Sequence, residues 1–154
     1  MFGDVIYLLP MGSENVLLLE EIAREAADRF GIPADRMSPE PAPAFAFNEG
    51  RGQYHSTVIL KELRGRIPAD AVRLLAVTDV DLYVPQLNFV FGEAAVDGRM
   101  SIISTYRLRP EFYGEQPDWG LFVERSVVEA VHELGHTFGL RHCANPDCVM
   151  FFSN

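Results

Sequence analysis

Three of the four histidines and both cysteines lie in one short stretch, AVHELGHTFGLRHCANPDCVMF, at 130–151. His132 and His136 are four residues apart, so on a helix their rings share one face and can approach a single cation. Gly139 permits a left-handed turn that would bring His142 back as a third ligand. The pattern therefore predicts a zinc site with three nitrogen ligands and a fourth position open for water.

Glu133 projects from the same edge of this helix without being forced to bind the metal. Zinc with an open position lowers the pKa of bound water to about 7, and a carboxylate at Glu133 is placed to accept the water proton and pass it to a leaving amine. The competing interpretation is a surface helix with two solvated histidines. The further match at Gly139 and His142 favours the metal site. The remaining histidine, His55, is predicted to have a plain structural role.

The helix that carries the motif is predicted to begin near Asp118 and to end at Phe138. Its apolar stripe consists of Val127, Val128, Val131, Leu134 and Phe138. At about 100° per residue, this stripe is centred on a different face from the two helical histidines. The helix therefore has one face for the core and another for chemistry.

The segments before this helix alternate between strand and helix patterns. DVIYLLP is an apolar run of strand length, and Ser13 can cap a following helix that Gly31 ends. RMSPEPAPAFAFN is expected to be largely extended because its prolines exclude a helix. A second helix is predicted from Ser56 to Arg64.

The middle of the chain predicts the centre and edge of a sheet. AVRLLAVTDVDLYV has a nearly unbroken apolar centre, which indicates a parallel strand covered on both faces. LNFVFGEAAVDGRMSIISTYRL divides at Asp97–Gly98 into the two strands of a hairpin. The fold class is therefore α/β with a mixed sheet. Asp79 and Asp81 could hold a second cation, although capping or turn roles are commoner for such aspartates.

Length and charge exclude several classes of protein. The chain has 154 residues, 48% of them hydrophobic, which suits one domain with a proper core. Its 13 basic and 22 acidic residues give a net charge of −9, whereas a nucleic-acid groove needs clustered basic residues. No signal peptide, membrane span or disulfide framework is visible. We therefore expect a cytoplasmic monomer that binds neither nucleic acid nor membrane.

HELGHTFGLRH matches HExxHxxGxxH, so the chain resembles the metzincin zinc peptidases. Cys143 directly after the third histidine, Cys148 after four more residues, and Met150 in CVM resemble the archaemetzincin signature in particular. The resemblance implies Glu133 as general base and Met150 as the residue of the Met-turn beneath the metal. It also implies a catalytic zinc on His132, His136 and His142.

The same resemblance implies a metzincin-like (zincin) fold, with a twisted mixed β-sheet, one antiparallel edge strand, a backing helix and an active-site helix. The chain would be a single catalytic domain, with an upper subdomain at 1–139 and the start of a lower subdomain at 140–154. In such folds the edge strand binds extended substrate, and its predicted residues here are Phe89, Val90, Phe91, Gly92, Glu93 and Ala94. Phe89 and Phe91 could equally be core residues, which would leave backbone pairing unaffected.

The cysteines depart from the archaemetzincin pattern. That family typically carries a second, structural zinc, held by the cysteines of HCx4C and by a downstream CxxC pair, and no such pair follows in this sequence. Two thiolates are half of a closed four-ligand site. Either the sequence is shortened, or this member lacks the second zinc and leaves Cys143 and Cys148 as free thiols, a strained local disulfide or partial ligands.

Two functions are compatible with these residues. The first is a zinc-dependent metallopeptidase that hydrolyses peptide or protein substrates with zinc-activated water and Glu133 as base. The second is a zinc-containing peptide-binding or regulatory module with weak or lost catalysis, because the lower wall of the cleft is largely missing. The first is favoured, since Glu133 beside three histidines has no obvious structural use.

Overall fold

The computed structural model describes residues 4–12, 14–95 and 98–151. The helices are α1 (Val16–Phe30), α2 (Ser56–Leu63) and α3 (Trp119–Thr137). The strands are β1 (Val5–Met11), β2 (Ala34–Arg36), β3 (Phe47–Asn48), β4 (Gln53–His55), β5 (Ala71–Thr78), β6 (Leu82–Tyr83), β7 (Gly92–Ala94) and β8 (Met100–Ser104). Short 3₁₀ turns cover Ala44–Ala46, Arg64–Arg66 and Pro110–Tyr113. In the described part of the chain, no helix combines the length and apolar character needed to cross a bilayer.

The main sheet has five strands in the order β2-β1-β5-β8-β7. The pairs β1–β2, β1–β5 and β5–β8 are parallel, whereas β7 runs antiparallel to β8 at the edge. A smaller sheet has the order β3-β4-β6. The predicted α/β class is confirmed, with a mixed sheet, a central parallel strand and one antiparallel edge strand.

Apolar side chains cover both faces of the main sheet. Leu75 and Val77 of β5 pack on one face with the buried sides of α1 and α3. Leu74 and Ala76 point to the other face, where they pack with α2. Fully burying a leucine or valine side chain stabilises a fold by about 1.5–3 kcal/mol, so both faces of the central strand contribute to its stability. The sheet is therefore the middle layer between α1 and α3 on one side and α2 on the other.

Helix α3 has defined ends. The Asp118 side chain accepts a hydrogen bond from the Leu121 amide at 3.1 Å, and this cap sets the first turn. At the other end, Gly139 has φ +91° and its amide donates to the His136 carbonyl, while the Leu140 amide donates to the Gly135 carbonyl. This pair of bonds is a Schellman motif. The helix spans the range that the sequence predicted.

Three predicted features differ in detail from the structure or involve residues that the structure does not describe. The cap of α1 is Asn15, whose side chain accepts from the Leu18 amide, and the proposed cap Ser13 is not among the described residues. The proline-rich segment is largely extended as predicted, and it holds one 3₁₀ turn in which the Pro43 carbonyl accepts from the Ala46 amide. The hairpin β7–β8 forms, although the Asp97 half of its predicted turn is also outside the described residues.

Candidate metal centre

His132 and His136 face each other from successive turns of α3, as their spacing requires. Their Nε2 atoms are 3.1 Å apart. Two nitrogens bound at about 2.0–2.1 Å to one tetrahedral zinc are about 3.3–3.4 Å apart, so the observed spacing fits a shared metal closely.

The other nitrogen of each ring fixes its tautomer. The Nδ1–H of His132 donates to the Val149 carbonyl at 2.9 Å, and that of His136 donates to the Leu140 carbonyl at 2.8 Å. A carbonyl only accepts, so in the neutral rings both Nε2 atoms carry lone pairs that point at each other. Burial lowers the pKa of His132 and favours its neutral form. Two opposed lone pairs repel each other unless a cation lies between them, so this arrangement suits a metal.

His142 completes the group from the segment after the helix. Its ring centroid lies 5.2 Å from that of His132 and 4.8 Å from that of His136. One nitrogen from each of the three rings falls within 4.8 Å of the others, and no other set of three metal-ligating side chains gathers in the described ranges. His132 is buried, His136 half-buried and His142 exposed, so the site opens towards solvent through its third histidine.

Glu133 is buried next to the histidines, with 7% of its surface exposed. Burial raises the pKa of its carboxyl group to about 8, and the nearby carboxylates of Glu129 and Glu93 add to the effect. A dication held by the histidines would act in the opposite direction and favour the charged carboxylate. A metal held beside Glu133 would therefore oppose the effect of burial on its pKa.

Gly92 of β7 gives Glu133 the space it occupies. A Cβ atom added to Gly92 would lie 2.9 Å from Glu133 Cγ and 2.5 Å from the Ile102 carbonyl oxygen. Because real contacts are not this short, any side chain here would displace the carboxylate or the β7–β8 pairing. The predicted substrate strand thus contacts the predicted base directly.

The six predicted substrate residues divide into two groups. Gly92, Glu93 and Ala94 form β7, whereas the preceding Phe89, Val90 and Phe91 lie outside regular strand. Val90 makes a single bridge to Leu82, and the two phenylalanine rings meet edge to face at 5.1 Å. Both phenylalanines lack the full burial of core residues, and Phe91 lines the cavity above the histidines.

A cavity of about 650 Å³ joins β7, α2 and α3 at this point. Its walls include two residues to which sequence reasoning gave no part in the site, Glu129 and His55. Glu129 is 8% exposed and lies one helical turn before Glu133, and this i, i+4 spacing was a readable signal. No spacing in the sequence links His55 to the site, since only the fold brings β4 to the cavity. Its Nδ1 is the one buried side-chain polar atom without a hydrogen-bond partner in the described part of the chain.

Met150 lies beneath α3 at the level of the histidines. Its thioether packs on Gly135, where an added Cβ would come within 2.7 Å of the sulfur. Met150 is 5% exposed, and its carbonyl accepts from the Cys143 amide at 2.9 Å. The chain from His142 therefore folds back under the helix, and Val149 reaches the His132 ring from this turn.

The cysteines and aspartates stand apart from the histidine group. Cys143 and Cys148 are half-buried free thiols, and the Cys148 sulfur accepts from the Met150 amide at 3.4 Å. Asp81 forms a two-pronged salt bridge with Arg107, with both distances 2.8 Å. That pairing gives Asp81 a structural role, and neither it nor Asp79 joins a metal-binding group among the described residues.

Comparison with known proteins agrees with this geometry. The model of "Peptidase family M54" matches residues 20–154. The archaemetzincin of Methanocaldococcus jannaschii is 43% identical over 97% of this chain and 80% of its own length. The crystal structure of archaemetzincin from Methanopyrus kandleri superposes with a TM-score of 0.82 at 35% identity, over 98% of this chain and 82% of that one. The crystal structure of a zinc-dependent peptidase from Methanocorpusculum labreanum superposes with a TM-score of 0.83 at 33% identity, over 95% of this chain and 87% of that one.

Proposed function

Because the chain belongs to peptidase family M54, as the archaemetzincins similar to it do, we propose that its three clustered histidines hold the zinc and that Glu133 is the general base. Membership makes the chain a zinc-dependent metallopeptidase with peptide or protein substrates. The observation that carries the assignment of residues is the buried Glu133 carboxyl beside three ring nitrogens in an open cavity. A regulatory module without catalysis is not favoured.

The chain's own residues suit general base catalysis. Zinc bound at such a site supplies Lewis acidity, which polarises a substrate carbonyl and makes water more acidic. Glu133 then accepts a proton from water and returns it to the departing amine. Its pKa, raised to about 8 before any metal contributes, makes the carboxylate a stronger base towards the water proton, and a dication beside it would keep the group ionised and able to accept that proton.

Strand β7 is the proposed substrate platform. Among the described strands it pairs only with β8, so its outer edge retains main-chain donors and acceptors beside the cavity. An extended peptide that adds to this edge forms backbone hydrogen bonds independent of its sequence. The contact of Gly92 with Glu133 would then bring the peptide backbone close to the base.

We propose a supporting role for the turn around Met150. The Val149 carbonyl orients His132, and partners of this kind fix ring orientation and raise ligand basicity. Packing of Met150 on Gly135 keeps that carbonyl in place. The division into subdomains, a structural zinc on Cys143 and Cys148, the monomeric state and the cytoplasmic location remain predictions. So does the absence of nucleic-acid and membrane partners, which the net charge of −9 supports.

Glu133→Gln tests the assignment of the base. The amide keeps the size of the side chain but cannot accept the proton, so we expect peptide turnover to fall by about 10²–10⁴-fold. Zinc content, measured by metal analysis of the purified protein, should stay at one ion per chain. Glu124→Gln, on the exposed side of the same helix and outside this cavity, is the matched control and should retain most activity. Loss of zinc from Glu133→Gln, or unchanged turnover, would contradict the proposal.

A further inference from the structure

A second cavity of about 640 Å³ continues the cleft beyond the end of β7. It shares Thr57, Glu93 and Ala94 with the cavity above the histidines. A peptide that pairs with β7 therefore passes from one cavity into the other. This second cavity, here called the basic cavity, has a composition unlike that of the rest of the molecule.

Three cationic side chains line the basic cavity, namely Lys61, Arg64 and Arg99. Its apolar lining consists of Leu60, Ile67 and Met100. Lys61 is the only lysine of the chain, and the protein as a whole carries a net charge of −9. Three of its 13 basic residues thus surround one cavity that adjoins the substrate strand.

These cations are not neutralised by the acidic residues around them in the described structure. Elsewhere Arg66 pairs with Glu40 and Arg107 with Asp81. In contrast, neither Lys61 nor Arg64 forms a salt bridge within the described ranges, and Arg99 donates to the Ala71 carbonyl at 3.0 Å.

Among the described residues, Glu93 is the one acidic side chain in the wall of the basic cavity. It accepts hydrogen bonds from the hydroxyl groups of Ser56 and Thr57 at the start of α2, at 2.5 and 2.9 Å. The described part of the wall thus places three cationic side chains against one carboxylate, which is an excess of positive charge.

We propose that the basic cavity binds an acidic side chain of the substrate, on the N-terminal side of the bond that is cut. The inference rests on the proposed function, in which substrate pairs with β7. That strand runs from Gly92 to Ala94, and Gly92 is the residue beside Glu133. The proposal takes the peptide to run antiparallel to β7, as β8 does on the other side of this strand, so that its N-terminal part lies beside Ala94. At about 3.3 Å per residue, the acidic side chain lies within about three residues of the cut bond.

Turnover of three matched peptides tests the preference. They carry glutamate before the cut bond, glutamine at the same position, or glutamate at the mirrored position after the bond. We expect the first to show a kcat/KM about tenfold above the second, because each exposed ion pair contributes little and two or three of them would act together. Added salt should shrink this ratio, and the third peptide should gain nothing.

The double variant Lys61→Glu, Arg64→Glu should abolish the preference for the first peptide and leave the glutamine peptide within about twofold of the wild type. Arg24→Glu, Arg29→Glu changes the net charge equally on the exposed surface of α1 and should retain the preference. Equal cleavage of the first two peptides by the wild type, or a preference for glutamate after the bond, overturns the proposal.

A measurement of peptide binding distinguishes a failure of this proposal from a failure of the proposed function. The Glu133→Gln protein should bind the labelled glutamate peptide about tenfold more tightly than the glutamine peptide, and the ratio should disappear when Lys61 and Arg64 are also changed. Absence of turnover in every wild-type assay would count against the peptidase assignment alone. Equal binding of both peptides would count against the basic cavity alone.

Discussion

The two halves of the metal centre are built in different ways. His132 and Glu133 stand on a helix whose neighbouring residues, Ala130 and Leu134, are fully buried in the core. His142 stands in a segment where Leu140 is 51% exposed and most side chains face solvent. The helical half is therefore positioned by packing that needs no metal.

The segment at 140–151, here called the return loop, is held chiefly by hydrogen bonds. The rings of His132 and His136 donate to two of its carbonyls, and Met150 anchors its end on Gly135. Individual hydrogen bonds contribute only about 0.5–1.5 kcal/mol net, so such a segment opens more easily than a packed helix. Zinc bound by the three histidines would therefore organise the return loop, whereas the helix is ready to receive it.

Replacing the histidines one at a time gives the largest expected effect. Structural zinc contributes about 10–16 kcal/mol over four ligands, so His132→Ala and His142→Ala should each cost about 2.5–4 kcal/mol of zinc binding, or about 10²–10³-fold in affinity. Without metal, the two variants should differ in their free energy of unfolding. His132→Ala also releases Val149 and should lower the free energy of unfolding, whereas His142→Ala should lower it less, because the His142 side chain is exposed. Competition with a zinc chelator and urea unfolding measure the two effects, and equal instability of the metal-free variants would refute the contrast.

The pH dependence of the metal-free protein isolates the helical half. Glu133 has a pKa of about 8 in the fold against an ordinary value of 4.5, so the folded state keeps a proton that the unfolded chain loses. Its contribution to stability is complete below the unfolded pKa and is lost as the pH rises through 8, by about 3–4 kcal/mol from about pH 5 to about pH 8. Glu133→Gln should remove this loss. Urea unfolding of chelator-treated proteins across the range measures it, and parallel curves for wild type and variant would contradict the assignment.

Met150→Ala tests the anchor of the return loop. Deleting a buried methionine side chain costs about 2–5 kcal/mol, and we expect about 2 kcal/mol here because a loop can collapse into the space. Leu134→Ala, in the core of α3, should cost more. Zinc affinity should fall about tenfold in Met150→Ala, since Val149 then holds His132 less firmly. Thermal unfolding with and without zinc provides the measurement, and a larger loss from Met150→Ala than from Leu134→Ala would reverse the comparison.

Gly139→Ala probes the junction of the two halves and has the smallest expected effect. Its φ of +91° is unfavourable for alanine, so we expect a loss of about 1 kcal/mol in stability. Hydrogen exchange followed by mass spectrometry should place the increased opening after the helix, in the return loop. Increased exchange along the whole of α3 would show that the helix depends on the turn.

The helical half could be read almost completely from the sequence, because periodicity and capping are local. Asp118, Phe138 and Gly139 mark the ends of α3 in the sequence as in the fold. The central strand β5 could also be predicted, because a nearly unbroken apolar run indicates a strand covered on both faces whichever strands pair with it. The choice of cap for α1 was less secure, because Ser13 and Asn15 are both suitable residues two positions apart.

The walls of the cleft could not be predicted, because they depend on contacts between distant segments. His55 precedes α2 by one residue and reaches the cavity only after β4 has paired with β6. The approach of Gly92 to Glu133 joins residues 41 positions apart through the β7–β8 pairing. The resemblance to metzincins supplied the edge strand, but its extent in this chain is three residues, and only the fold shows that Phe89, Val90 and Phe91 precede it.

The parallel pairing of β1 with β5 also has a consequence for how the chain reaches this state. Ile6 aligns with Arg73, and Leu74 with Met100, so the sheet joins segments widely separated in sequence. The entropy lost on closing such loops must be overcome before any pairing stabilises the chain, and refolding is correspondingly slow. The three histidines span only eleven residues at 132–142 and need no such closure to meet. The refolding rate should therefore respond to changes in β1 and β5 and be nearly insensitive to zinc.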